Sequence, residues 1–413
     1  MIQSKTIVIG GGAAGLMAAG RAAERGSKVI LLEKMAKTGR KIGISGKGRC
    51  NLTNNAELIE FMNHFGKNGR FLRQCFQQFF TSELLDFFTT HGLPLTLERG
   101  GRYFPESGRA LDVVRVFNNW LKQLHVQTRE NSPVTRILVK DGGVCGILCQ
   151  DKKYSCDNVI IATGGKSYPR TGSTGDGYQI LRELGHTITP LRPALVPIKS
   201  NHPSLGKLAG LELRNVQVRV FVDKKKKTQE FGELSFTSSG LSGPTALTLS
   251  GLIIEALSTK KRVQLALDLK PALDEKKLDA RLIRDLQSRR GESIESILRG
   301  ILPKQLIEVC LVECKIPKDI DTTQFPGKTR KKLVSWLKDF RFDITGHRSW
   351  DEAIVTAGGV SLKEIDPVTM ESKLIKRLFI AGELLDIQAD TGGYNLQAAF
   401  STGWVAGNSI YSD

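Results

Sequence analysis

The stretch "KTIVIGGGAAGLMAAGRAAERGSKVILLEK" (Lys5–Lys34) decides the fold. Residues 6–9 are β-branched and mostly apolar, as expected of a strand buried in a parallel sheet. An alanine-rich run predicts a helix to about Arg25, and "SKVILLEK" predicts a second strand. Between the first strand and the helix stands Gly10-x-Gly12-x-x-Gly15. Gly10 permits the tight turn, Gly12 lets the backbone approach a pyrophosphate, and Gly15 lets the helix pack close to the strand. Phosphates would then meet the free N–H groups and the positive dipole end at the helix start, around Ala13 and Ala14. Glu33 falls at the tip of the second strand, placed to accept ribose hydroxyls. An acidic residue there favours an adenosine ribose without a 2′-phosphate, as in FAD or NAD.

Working outward, the residues from Phe61 to Gly92 read as helical with Gly92 at the C-terminal cap, and Ala110–Leu124 as an amphipathic helix. "VTRILV", "GVCGILCQ" and "CDNVIIATGG" read as strands. The proline-rich "TPLRPALVPI" (Thr189–Ile198) marks a domain exit. The next eighty residues alternate as short strands, the pattern of an antiparallel sheet or barrel, and a helical segment follows at about 271–320. "EAIVTAGGV" and "RLFIAGELLD" return to the texture of the start. The expected layout is a dinucleotide-binding α/β domain (1–191), an inserted basic domain (192–350) and a completing part (351–413). A chain of 413 residues is long enough for two or three such bodies.

Charge separates the insert from the rest. The formal net charge is +18, and residues 192–350 hold 30 Lys+Arg against 18 Asp+Glu, whereas the other residues hold 30 against 24. The runs Lys224–Lys227, Lys260–Arg262 and "KTRKK" (Lys328–Lys332) stand out. Such a surplus suits a polyanion, or serves a soluble surface with lysines on loop tips. No run of 18 apolar residues predicts a membrane span. Seven cysteines, none in a Cys-x-x-Cys pair, argue against a disulfide framework and a zinc ribbon and for a reducing cytoplasm. The six histidines form no cluster, so neither a metal site nor a Ser-His-Asp hydrolase is expected.

Several long motifs sharpen this reading. "GRKIGISGKGRCNLTN", "IIATGGKSYPRTGSTGDGY", "LSGP", "VTAGGVSLKEIDP" and "LFIAGELLDIQADTGGYNLQAAFSTG" stand beside the opening stretch. With them the chain resembles the YhiN/BaiN-like family of FAD-dependent oxidoreductases nearly end to end, least so in the insert. The resemblance implies a flavin domain of the glutathione reductase/fumarate reductase type, interrupted by a β-barrel with a small helical subdomain. It implies that Glu33 and Lys34 hold the adenosine ribose, with Gly39, Arg40 and Lys41 by the phosphates and the Val134 backbone at adenine. Ser45, Gly46, Gly48, Arg49, Cys50 and Asn51 would run along the ribityl chain and the ring. Ala162, Thr163, Gly164 and Gly165 would end a strand at the dinucleotide. Gly382, Glu383, Gly393, Asn395 and Leu396 would close over the isoalloxazine. Two places depart from the family: Gln388-Ala389 where Asp-Gly is common, and Ser238-Ser239 before "LSGP" where a histidine or tyrosine is common.

Cys50 has no partner thiol within twenty residues and no ligand spacing. Two readings stay open. It is a small residue buried beside the flavin, or a proton donor whose pKa Arg49 and nearby glycine N–H groups lower. Arg102 and Tyr103 line the active-site mouth, or belong to a loop capping the next helix. "GSTGDG" (Gly172–Gly177) is either a nicotinamide turn or a helix start by the flavin.

The resemblance implies NADH or NADPH as the reductant of FAD, and reduction of an activated C=C bond. Three substrates are linked with such proteins: a uridine of large-subunit ribosomal RNA, unsaturated keto-steroid-like compounds, and aminoacetone with O2. The basic insert favours ribosomal RNA as partner and dihydrouridine as product. The alternatives are a small-molecule reductase or oxidase, and a non-catalytic RNA-binding flavoprotein of ribosome assembly. Oligomeric state stays open.

Overall fold

The computed structural model describes residues 5–410. The chain divides into two compact units, one of residues up to Pro193 and from Trp350 onward, the other Ala194–Ser349.

The first unit is built on a parallel sheet. Its strand order is Leu378–Ile380, Asn158–Ile161, Lys5–Ile9, Lys28–Leu32 and Gln127–Arg129. The opening strand is central, in register Ile7↔Val159 on one side and Ile7↔Ile30 on the other. Ile7, Val8, Leu31, Ile160 and Phe379 have no more than trace exposure, as a sheet covered on both faces requires. The helix Ala13–Glu24 follows the glycine turn, and the final helix Tyr394–Asn408 lies against it. They approach closely because Gly403 and Gly407 face it: a Cβ there would stand 2.3 Å from the Ala14 carbonyl oxygen and 2.5 Å from that of Ala18. Val134–Lys140, Gly143–Cys149 and Lys152–Ser155 form a separate antiparallel meander. The expected helical run from Phe61 breaks into short helices at Leu58–Asn63, Gly66–Leu72 and Arg73–Gln78 before Thr81–Thr90, with His91 as the cap and Gly92 left-handed just beyond. Arg102–Pro105 is a strand of a small sheet with Thr53–Asn54 and Leu95–Glu98.

The second unit is a closed six-stranded barrel in the order Ile198–Ser200, Gly240–Ser242, Lys225–Thr237, Glu212–Val222, Val263–Asp268 and Phe340–His347. Val216, Val218, Val220 and Val222 point inward at period two. It has its own apolar core, including Leu265, Phe342 and the buried helical residues Leu282 and Leu306. Two long helices escape the sequence reading. Pro244–Ser258 interrupts the strands, and Gly327–Lys338 carries the helical segment past residue 320. Among the described residues no helix is long and apolar enough to cross a membrane.

Candidate active site

A cleft in the first unit opens above the carboxyl ends of the strands that start and centre the sheet, where ligands of such sheets bind. Its empty space, open mouth included, is ≈ 1430 Å³. Gly10, Gly12, Ala13, Ala14, Glu33, Lys34, Gly39, Arg40, Lys41, Ser45 and Val134 line it, as do Ala162, Thr163, Gly164, Gly382, Glu383, Asn395 and Leu396.

The walls fit an adenine dinucleotide. Gly10 takes φ +102, and a Cβ on it would stand 2.6 Å from the Ala162 carbonyl oxygen. A Cβ on Gly15 would stand 1.8 Å from the Gly10 oxygen, so only glycine lets the helix start so close. Gly12 has nothing within 4 Å of such a Cβ, which leaves room for a phosphate. Both long helices that begin at the cleft, at Ala13 and at Tyr394, have no side-chain cap, so their first N–H groups are free for an anion. Glu33 is buried; its two oxygens accept the Gly11 and Met35 N–H groups at 2.7 Å each. Each keeps a second lone pair for a ribose hydroxyl. Thr163 Oγ1 is buried in the wall without a hydrogen-bond partner, an unmet polar atom of the kind a bound ligand satisfies.

Charge inside the cleft is paired across great sequence distance. Lys41 Nζ lies 2.7 Å from Glu383 Oε2 and donates to Ser167 Oγ at 2.5 Å. Ser167 donates in turn to Glu383 Oε1 at 2.6 Å, which also accepts the Thr356 N–H at 2.8 Å. Burial pushes the Glu383 carboxyl up, but Lys41 and these donors outweigh it and hold it below the usual carboxylate range. Near the entrance Lys34 Nζ meets Asp176 Oδ2 and Thr174 Oγ1, both at 2.5 Å. Asp176 is likewise pulled below its ordinary value: its burial acts upward, and Lys34 and Thr174 overcome it. FAD, when bound in such a cleft, supplies hydride transfer at its ring.

The loop Ser45–Asn51 differs from expectation. Lys47 and Cys50 take φ +57 and +62, conformations costing L-residues roughly 1–2 kcal/mol each. Ser45 lines the cleft; Gly46, Gly48, Arg49, Cys50 and Asn51 do not, and nor do Gly15, Gly165 and Gly393, which stand behind the wall. Cys50 is fully buried, and burial pushes its thiol up to about 12, with a hydrogen bond to Ser45 acting the other way. Arg49 does not sharpen it: the guanidinium pairs with Glu98 and lies 4.3 Å over the Phe104 ring. Desolvation thus moves the thiol the opposite way from the lowering that Arg49 and the glycine N–H groups would produce.

Arg102 and Tyr103 are outside the cleft wall, and Arg109 caps the helix from Ala110. "GSTGDG" is the turn that opens the helix Asp176–Glu183, with Gly172, Ser173 and Asp176 in the wall. Gln388 Oε1 is buried without a partner. Sequence reasoning gave no role to Gly11, Ser132, Val355 or the apolar walls Phe65 and Ile387. Only Gly11, inside the glycine turn, carried a local signal. All seven cysteines are free. Among the described residues no group of three or more His, Cys, Asp or Glu side chains is placed to hold a metal.

Known proteins share this architecture. A family model described as HI0933-like protein Rossmann domain matches residues 4–409. A 3-dehydro-bile acid delta(4,6)-reductase of Clostridium scindens is 32% identical over 97% of this chain and 98% of its own length. A ribosomal RNA dihydrouridine synthase of Escherichia coli is 30% identical over 99% of this chain and 98% of its own. Among solved structures, a flavocytochrome c3 fumarate reductase in its open conformation superposes with TM-score 0.53 at 17% identity, covering 98% of this chain and 78% of that one. The last likeness is one of fold.

Proposed function

The chain belongs to the HI0933-like Rossmann family and is an FAD-dependent oxidoreductase, and on that premise we propose that it uses NAD(P)H to reduce a uridine of large-subunit ribosomal RNA to dihydrouridine. When bound in the cleft, FAD would supply the hydride to C6 of uracil and the nicotinamide would restore it, with the proton at C5 coming from solvent. The C5–C6 π bond is lost and the nicotinamide is oxidised. The observation that carries the choice of RNA is the charge surplus of the barrel unit, 29 Lys+Arg against 18 Asp+Glu over residues 194–349. A small neutral substrate gives no use for it, whereas each phosphate contact releases counterions and adds affinity. A uracil in folded RNA must be turned out of its stack to reach the flavin cleft. The chain's part is to hold the cofactor, with Glu33 at the ribose and the two uncapped helix starts at the phosphates. In this scheme Cys50 is read as a small buried residue rather than as the proton donor.

A second reading has its own support. The relative named as a bile acid reductase is 32% identical, and its steroid-like substrate class would need the same hydride and proton. One assay separates the two. The FAD-loaded protein is reduced anaerobically with NADH and mixed with unmodified ribosomal RNA. Return of the oxidised flavin band with ribosomal RNA but not transfer RNA, equally fast in Cys50→Ala, is the expected result. Silence with RNA and reoxidation by a conjugated enone would move the substrate to small molecules. Silence with both would favour an assembly factor.

A further inference from the structure

The barrel carries an outward surface that its core does not need. Asp223 and Lys224 take φ +48 and +67 at the turn between strands Glu212–Val222 and Lys225–Thr237, the two-residue type I′ geometry. The turn before Val263–Asp268 lies against it. The Asp223 N–H donates to the Arg262 carbonyl at 2.9 Å, and the Arg262 N–H donates to the Asp223 carboxylate at 3.0 Å. These two turns bring Lys224–Lys227 and Lys260–Arg262, all exposed, to one end of the barrel. The acids at this end are Asp223 and Asp343, the latter 3.7 Å from Arg262, and along the strands Asp339 pairs with Arg219 at 2.9 Å and Arg341 at 2.7 Å.

Aromatic groups continue the surface along the strands. Since the valines of Glu212–Val222 point inward, Gln217, Arg219 and Phe221 point outward. Their register partners are Phe231, Gln229 and Lys226. Phe231 is 57% exposed and is the one exposed phenylalanine among the described residues. The Arg341 guanidinium lies 4.9 Å over the Phe221 ring. From Lys226 to Phe231 the strip runs about 17 Å at about 3.4 Å per residue. Cations that track phosphates, next to an open ring on a barrel strand, are what single-stranded nucleic acid uses.

The geometry points to the outer face of these two strands, with its lysine-rich end, as a docking surface for single-stranded RNA in which Phe231 stacks on a base. This rests on the RNA reading above and adds where and how the strand is held.

The test uses the full-length, FAD-loaded protein and a fluorescein-labelled twelve-nucleotide oligouridylate, followed by anisotropy across a salt series. Phe231→Ala should weaken binding about 5- to 150-fold with the salt slope unchanged, the roughly 1–3 kcal/mol of one base stack converted at about 1.4 kcal/mol per decade. Lys225→Glu combined with Lys227→Glu and Lys261→Glu should weaken it at least tenfold and flatten the salt slope by about 2, near 0.7 per lost phosphate contact. All four positions are exposed, so flavin absorbance and melting temperature should match wild type. A wild-type protein that does not bind the oligonucleotide overturns the proposal, as does a lysine variant that binds like wild type. A normal Phe231→Ala beside a defective lysine variant also overturns it, leaving a plain polyanion surface such as an acidic protein could use. Phe231-dependent binding without flavin reoxidation by ribosomal RNA would instead sink the catalytic reading and keep the surface.

Discussion

Lys41 and Glu383 show how one ion pair ties the site together. The carboxylate takes donors from Lys41, Ser167 and the Thr356 N–H. In Glu383→Gln one acceptor oxygen remains and an N–H must face these donors, a loss of about 3 kcal/mol at neutral pH by the worth of charged hydrogen bonds. The pH dependence has a definite sign. The folded carboxyl sits below its ordinary value. Its stabilisation is then complete above the unfolded value, roughly 4.3, and disappears as pH falls through the lower folded value. Urea titrations of both proteins should therefore show a gap that is constant near neutrality and closes in acid. A gap that stays open at low pH would mean that Glu383 contributes shape rather than charge.

At the scale of elements, the approach of the first and last helices sets the cleft. Gly403→Ala would place a methyl 2.3 Å from the Ala14 carbonyl oxygen. Alanine gains up to about 1 kcal/mol of helix propensity over glycine, but overpacking costs about 1–3 kcal/mol. The variant should melt lower and retain FAD less well. Gly251→Ala is the control: it lies in the exposed part of the helix Pro244–Ser258 with nothing near its Cβ, and it should melt slightly higher. If both variants gained stability, close helix packing would not be what Gly403 provides. The same contrast explains what the sequence reveals. Gly10, Gly12, Gly15 and Glu33 lie within one strand–helix–strand unit, so their spacing alone exposes their roles. Lys41 and Glu383 are 342 residues apart, and nothing local announces their pairing. The burial that pushes the Cys50 thiol up comes from the assembled core, not from its glycine-rich neighbours. The helix Pro244–Ser258 hides because its residues are apolar on nearly every side, so no stripe shows. In Gly327–Lys338 a run of lysines and arginines obscures the stripe Leu333, Val334 and Leu337.

At the scale of the whole molecule, the two units have separate apolar cores, one around the parallel sheet and one around the barrel. The wall of the flavin cleft belongs entirely to the first unit. A ligand stabilises what it binds, by about 2.7 kcal/mol at a free concentration of 100 times Kd. For a body of this size that is a rise of roughly 5–11 °C, at about 2–4 °C per kcal/mol. Cysteines report each core by themselves. Cys50 and Cys75 are buried in the first unit, Cys310 and Cys314 in the second, and a buried thiol is alkylated only when its surroundings open. Heating the apoprotein and the FAD-saturated protein in steps, with a brief iodoacetamide pulse at each and mass spectrometry afterwards, reads both. FAD should raise the labelling temperature of Cys50 and Cys75 and leave that of Cys310 and Cys314 in place. The barrel would then be a body that keeps its fold whether or not flavin is bound, as an RNA-holding surface must if it is to work through every oxidation and reduction of the cofactor. A common shift of all four cysteines would instead mean that the two cores melt as one, and that flavin loading controls the basic surface as well.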